Sequence, residues 1–148
     1  MAVDVASEIE IARPRGAVAA YACDPHNATA WYRKIKAVEW QTPPPLAVGT
    51  RLAFVAEFLG RTLAYTYEVT EHEPGERFVM STAEGPFPMQ TTYAWQDAPG
   101  GATRMTLRNR GEPTGFANVT APLMARAIAR ANRSDLRRLR TILERPAA

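Results

Sequence analysis

From about Thr120 to Glu144 the sequence reads as one long, arginine-studded helix, roughly 36 Å from end to end at about 1.5 Å per residue. Leu123, Ala127, Ala131, Leu139 and Ile142 recur at three- and four-residue spacing. Val119 leads in, and Met124, Ile128, Leu136 and Leu143 widen the stripe. That periodicity predicts one buried side and leaves the other to Arg126, Arg130, Arg133, Arg137 and Arg140. A rod of this length needs a broad apolar partner, which the preceding residues must supply. A bent antiparallel sheet closed by such a helix can enclose a cavity.

Short alternating runs supply that sheet. Val3, Val5, Ile9 and Ile11 alternate with Asp4, Glu8 and Glu10, the mark of a half-buried strand. Arg13-Pro14 ends it, and the proline suits the first turn of a helix carrying Val18, Ala19 and Tyr21. Asp24-Pro25 restarts the chain, with Asp24 placed to cap a short helix through Trp31. A second strand, about Ile35 to Gln41, runs into Pro43-Pro44-Pro45, which cannot sit inside a sheet.

A hairpin follows. With Gly60-Arg61 as a two-residue turn, Phe58 faces Leu63, Ala56 faces Tyr65, Phe54 faces Tyr67 and Leu52 faces Val69. The other side pairs Glu57 with Ala64, Val55 with Thr66, Ala53 with Glu68 and Arg51 with Thr70. One face is aromatic and aliphatic, the other small or charged, and a one-residue slip would destroy that separation. Glu73-Pro74-Gly75-Glu76 then turns into a strand near Arg77 to Thr82, and Gly85-Pro86-Phe87-Pro88 leads to another over Met89 to Gln96. The loop Asp97-Ala98-Pro99-Gly100-Gly101 precedes a last strand over Thr103 to Arg110. Met89, Thr91, Tyr93 and Trp95 share a face, as do Met105, Leu107 and Asn109. The order strand, two short helices, six strands, long helix predicts an α+β fold, an antiparallel meander closed by its final helix.

At 148 residues the chain is expected to be one domain over residues 1–148, with a core that needs neither disulfide nor metal. With 46% apolar and 22% charged residues and no run approaching a membrane span, no membrane insertion is expected. Met1-Ala2-Val3-Asp4 is not a basic stretch followed by an apolar core, so no secretory signal is expected. The single cysteine, Cys23, cannot form an internal disulfide, which fits a cytoplasmic location. The net charge of +3 comes almost wholly from arginine, since only Lys34 and Lys36 are lysines.

These segments, in order, resemble the polyketide cyclase/dehydrase and lipid-transport superfamily, also described as START-related or birch-pollen-allergen-like. The resemblance runs from about Val3 to Glu144. It rests on the opening strand ending in Arg13-Pro14, Asp24-Pro25 followed by Trp31, Val48-Gly49-Thr50-Arg51, and Glu68-Val69-Thr70 with Glu73-Pro74. Gly85-Pro86-Phe87-Pro88, Gly100-Gly101 with Thr103-Arg104, and Asp135-Leu136-Arg137-Arg138-Leu139 complete it. The resemblance implies a helix-grip architecture: a seven-stranded antiparallel sheet wrapped around the C-terminal helix, with an elongated apolar cavity between them. Relatives bind lipids, sterols, polyketides or plant hormones, and some catalyse cyclisation, aromatisation or dehydration. The family has no universal catalytic signature, so chemistry must be argued from residues.

The expected cavity wall is Phe54, Phe58, Tyr65, Tyr67, Met80, Met89, Tyr93 and Trp95 from the sheet, with Met124 and Ile128 from the helix. Pockets for small molecules are mostly apolar with a few polar tips, and tyrosine supplies both. The same side chains could instead fill a solid core, although small partners such as Ala56 leave room. For catalysis, Tyr65, Tyr67 and Tyr93 are the candidate donors to an enolate or carbonyl oxygen, with Glu71 or Asn109 assisting by parity. No His–carboxylate constellation accompanies them: His26 falls in a short helix and His72 on the outward parity of a strand. Cys23 and His26 are spaced to touch one ion, but two ligands do not make a zinc site, so neither metal nor cofactor is expected. The helix arginines repeat without interleaved aromatics, which favours a solvated face over nucleic-acid binding.

The leading expectation is a module that binds a small hydrophobic molecule, lipid- or polyketide-like. A cyclase or dehydratase using a cavity tyrosine, and a co-chaperone-like interaction module with a closed core, are the alternatives. A homodimer is left open. Gly111 to Gly115, with Pro113, is a candidate lid, and Pro122 sits either in the first helical turn or at a kink.

Overall fold

A computed structural model describes residues 3–112 and 121–145. Of the expected lid only Gly111 and Glu112 are described; Pro113 to Gly115, Val119 and any turn upstream of Pro122 lie outside the described residues. Strands β1 (Val3–Ile11), β2 (Ile35–Trp40), β3 (Arg51–Phe58), β4 (Arg61–Glu73), β5 (Arg77–Glu84), β6 (Met89–Ala98) and β7 (Ala102–Gly111) form one antiparallel sheet. Its order is β1-β7-β6-β5-β4-β3-β2. Six strands therefore follow one another as a meander, and β1 closes on the far edge. Helix α1 (Arg15–Cys23), a 3₁₀ turn (Pro25–Asn27) and α2 (Ala28–Trp31) carry the chain from one edge to the other. Helix α3 (Ala121–Leu143) closes the inner face. This is the helix-grip, α+β architecture. No helix among the described residues is long and apolar enough to cross a membrane.

The strands form where alternation is cleanest. In β1, Val3, Val5 and Ile11 are buried while Asp4, Glu8 and Glu10 stay in water. In β3, Leu52, Phe54 and Ala56 turn inward. Asp24 caps the 3₁₀ turn, its Oδ1 accepting from the His26 N–H at 3.0 Å.

The β3–β4 hairpin departs from the expected register by two residues. Phe58 faces Arg61, Ala56 faces Leu63, Phe54 faces Tyr65 and Leu52 faces Tyr67. The turn is Leu59-Gly60, not Gly60-Arg61, with φ of 50° and 77°. Positive φ at both central positions is the twist-matched hairpin turn, and glycine takes its second place at little cost. A two-residue slip preserves both faces, so alternation excluded the one-residue error and was blind to this one.

Two further departures come from one bulge in β4. Val69 pairs with Met80 but Glu71 pairs with Val79, leaving Thr70 as an extra residue. Beyond it the parity of β4 inverts. Glu71 therefore leaves the inner face and bonds Arg77 Nε at 3.1 Å. His72, expected outward, instead packs edge-on against the inner-facing Phe78 at 5.5 Å between ring centroids.

On α3 all five stripe arginines are exposed. Leu123 is also exposed, at 54%, because it shares its helical face with Arg126 and Arg130. The buried line runs instead through Met124, Asn132, Asp135, Leu136, Leu139 and Leu143.

Candidate functional site

A cavity of about 180 Å³ lies between the inner face of the sheet and the first half of α3. Phe54, Phe58, Tyr65, Tyr67, Met80, Met89 and Tyr93 line it from the strands, and Met124 and Ile128 line it from the helix. Trp95 does not. Two residues beyond Tyr93 on β6, roughly 7 Å further along the strand, it is buried in the solid part of the core. Its expected place on the cavity wall is therefore corrected to one of packing.

The hollow exists because facing positions carry small side chains. Ala56 and Ala131 stand on its wall, where larger residues would fill it. At Gly111 an added Cβ would come within 2.9 Å of the Pro88 carbonyl oxygen, so backbone approach there requires glycine. A second cluster, Val3, Val5, Leu63, Phe87 and Met124, packs the first turns of α3 to the sheet, and all but Val5 also border the cavity.

A chain of hydrogen bonds crosses the cavity wall from sheet to helix. Tyr67 Oη and Thr91 Oγ1 are 2.9 Å apart, Asn109 Nδ2 donates to Thr91 Oγ1 at 2.8 Å, and Asn132 Nδ2 donates to Asn109 Oδ1 at 2.7 Å. Three strands and α3 are thereby joined by groups that satisfy one another out of water. Separately, the hydroxyls of Tyr32 and Tyr93 meet at 2.6 Å. Tyr65 stacks on Phe54 at 5.4 Å, and its hydroxyl makes no hydrogen bond among the described residues. Burial pushes the Tyr67 phenol up to about 12 and those of Tyr32, Tyr65 and Tyr93 well above their ordinary range. All four stay protonated near neutrality, as donors.

Asp135 and Asn132 are polar wall residues of α3 that sequence reading missed, as it missed Tyr32 and Thr91. Asp135 is 3% exposed, and its Oδ1 accepts one bond, from the Arg33 backbone N–H at 3.1 Å. Loss of water raises the carboxyl to about 6, against the pull of that N–H and of the positive charges on Arg33, Lys34 and Arg138. A signal was present in the linear pattern: Asp135 sits four residues after Ala131 and four before Leu139, inside the apolar stripe. An acid at such a position, on a helix whose other charges are exposed, marks a buried polar site.

The remaining candidates lie elsewhere. Asn109 stands on the wall, whereas Glu71 does not. His26 is exposed, and neither it nor His72 borders the cavity. Burial pushes the Cys23 thiol up to about 12, leaving it unreactive near neutrality. Among the described residues no group of three His, Cys, Asp or Glu side chains is placed to hold a metal ion.

Solved structures share this fold. A protein from Thermus thermophilus aligns with a TM-score of 0.80 at 21% identity, covering 95% of this chain and 96% of its own. A START superfamily protein from Mycobacterium smegmatis aligns at 0.81 and 13% identity over 95% and 97%. The Zhui aromatase/cyclase from Streptomyces sp. R1128 aligns at 0.78 and 14% identity over 98% and 95%. At such identities each likeness is one of fold. No curated protein sequence matches the chain. The sequence model for polyketide cyclase/dehydrase and lipid transport matches residues 2–144, and the chain belongs to that family.

Proposed function

We propose that this protein binds a small, mainly hydrophobic molecule in the space between its sheet and α3. The observation that carries the reading is the hollow itself: about 180 Å³, walled mostly by aromatic and aliphatic side chains, with a few polar groups converging on it from α3 and β7. Such composition suits an apolar body with one polar end. An interaction module with a closed interior would have no use for this space.

The test is direct. Protein purified under native conditions and then denatured in a mass spectrometer should release a bound apolar molecule, and titration with 2-ethylnaphthalene should show saturable binding. Ala131→Phe, which projects a ring into the space, should abolish that binding while the fold persists by circular dichroism. Equal binding by the filled variant would end the reading.

A second reading, cyclisation or dehydration of a carbonyl compound, draws support from one observation. The Tyr65 phenol and the Asp135 carboxyl border the same cavity, a donor and a base of suitable affinity for protons. The hydroxyls of Tyr67 and Tyr93 are already engaged with Thr91 and Tyr32, which makes Tyr65 the strongest of the three tyrosines for that role. Turnover of an aryl β-ketoester that survives Tyr65→Phe at full rate would remove it.

A further inference from the structure

Asp135 is the only carboxyl group on the cavity wall among the described residues. It joins none of the ion pairs found there. The Arg33 guanidinium reaches Ser134 Oγ at 3.4 Å, and Arg33 contributes only its backbone N–H to the carboxyl. The second oxygen, Oδ2, has no donor among the described residues. A carboxylate has about four acceptor sites, and one withdrawn from water with a single neutral donor is short of partners. None of the neighbouring polar groups bonds it: Tyr67, Thr91, Asn109 and Asn132 are linked to one another, and Tyr32 to Tyr93.

Resting on the cavity reading above, we infer that the preferred ligand carries a cationic nitrogen at one end, seated on Asp135 Oδ2, with its apolar body extending toward Met124 and Ile128. An ammonium supplies the missing countercharge together with the missing donors, in a charge-assisted bond. The rings of Phe54, Tyr32, Tyr65 and Tyr93 border the same space and offer faces that attract a cation. A ligand with a carboxylate at that end meets like charge and is rejected unless one group takes up a proton. The groups that face Asp135 are Arg33 and Lys34 from the segment after α2, Arg138 from α3, and the Tyr32 and Tyr93 hydroxyls. The three cations favour the ionised carboxyl through space but leave Oδ2 without a donor. Lys34 and Arg110 are exposed, so their charge is screened by solvent at the cavity rim.

The experiment compares three probes of one shape on the full chain by calorimetry at about pH 7.5: 2-naphthylmethylammonium, 2-ethylnaphthalene and 2-naphthoate. The ammonium should bind about tenfold more tightly than the hydrocarbon, with the carboxylate weakest. In Asp135→Asn the ratio of the first two affinities should fall to about one. In the unaltered protein the same ratio should shrink between about pH 7.5 and pH 5, a readout that stands even where the variant folds poorly. Binding of the hydrocarbon without preference for the ammonium, or a preference that survives Asp135→Asn, overturns this inference alone. Failure of all three probes to bind overturns the cavity reading and takes the inference with it.

Discussion

Leu136, Leu139 and Leu143 of α3 meet Ile11, Trp31, Phe78 and Met105 in a core almost wholly withdrawn from water. One to three turns earlier, Met124, Ile128 and Ala131 look across a hollow toward Phe54, Tyr65 and Met89. The same helix and the same sheet thus make a solid seal at one end and a cavity at the other. Side-chain volume accounts for part of the contrast, because the sealed end opposes large residues and also receives Val18 and Ala19 from α1. Polar groups account for the rest. The chain Tyr67–Thr91–Asn109–Asn132 spans sheet and helix at fixed hydrogen-bond lengths. It fixes the middle of α3 to the strands beside the hollow, a polar tie where the buried core of the sealed end is apolar.

The contrast can be broken most forcefully by truncation. Leu139→Ala, at a fully buried site, should cost about 2–5 kcal/mol in urea unfolding, whereas Ile128→Ala on the cavity wall should cost less than about 1.5 kcal/mol. Equal losses would mean that the two ends are packed alike. Enlargement reverses the test. Ala19→Leu should destabilise by about 1–3 kcal/mol through overpacking, while Ala131→Leu, with space before it, should be neutral within about 1 kcal/mol and weaken ethylnaphthalene binding.

Asp135→Asn probes the polar wall, and its sign depends on pH. The folded carboxyl titrates at about 6 against an ordinary 3.8, so the native state keeps a proton over a range where the unfolded chain has lost one. Its contribution to stability grows as pH falls from about 6 toward 4 and is lost as pH rises through about 6. The asparagine variant still accepts from the Arg33 N–H, so it should be about 1–2 kcal/mol more stable than the parent near pH 7.5. That difference should vanish near pH 4, as thermal melts across this range would show. Smallest is Tyr67→Phe, which removes one neutral hydrogen bond and should cost about 1 kcal/mol, since Thr91 keeps its bond from Asn109. A much larger loss would show that the four residues act as one cooperative strut.

Much of this is legible in the amino-acid sequence. Val3 to Ile11 and Arg51 to Phe58 announce their inward faces by alternation, and the tyrosines and phenylalanines of the hairpin were correctly placed on one side. The failures share a cause. The two-residue slip at Leu59-Gly60 and the parity switch at Thr70 are invisible to a pattern of period two, because each depends on which partner a strand meets. Leu123 and Asp135 depart from the pattern for a related reason: the stripe that periodicity predicts on α3 lies about one residue away from the line that docks.

Strand identity, inward faces and the need for a covering helix follow from local periodicity, since side-chain direction alternates along a strand and repeats every 3.6 residues along a helix regardless of what lies opposite. Whether the inward residues touch or stand apart is a question of the gap between α3 and the sheet. That gap is set by side-chain volumes and hydrogen bonds from elements far apart in the chain. The same long-range geometry brings Asp135 beside Tyr32 and Arg33, and no window of sequence contains all of its neighbours.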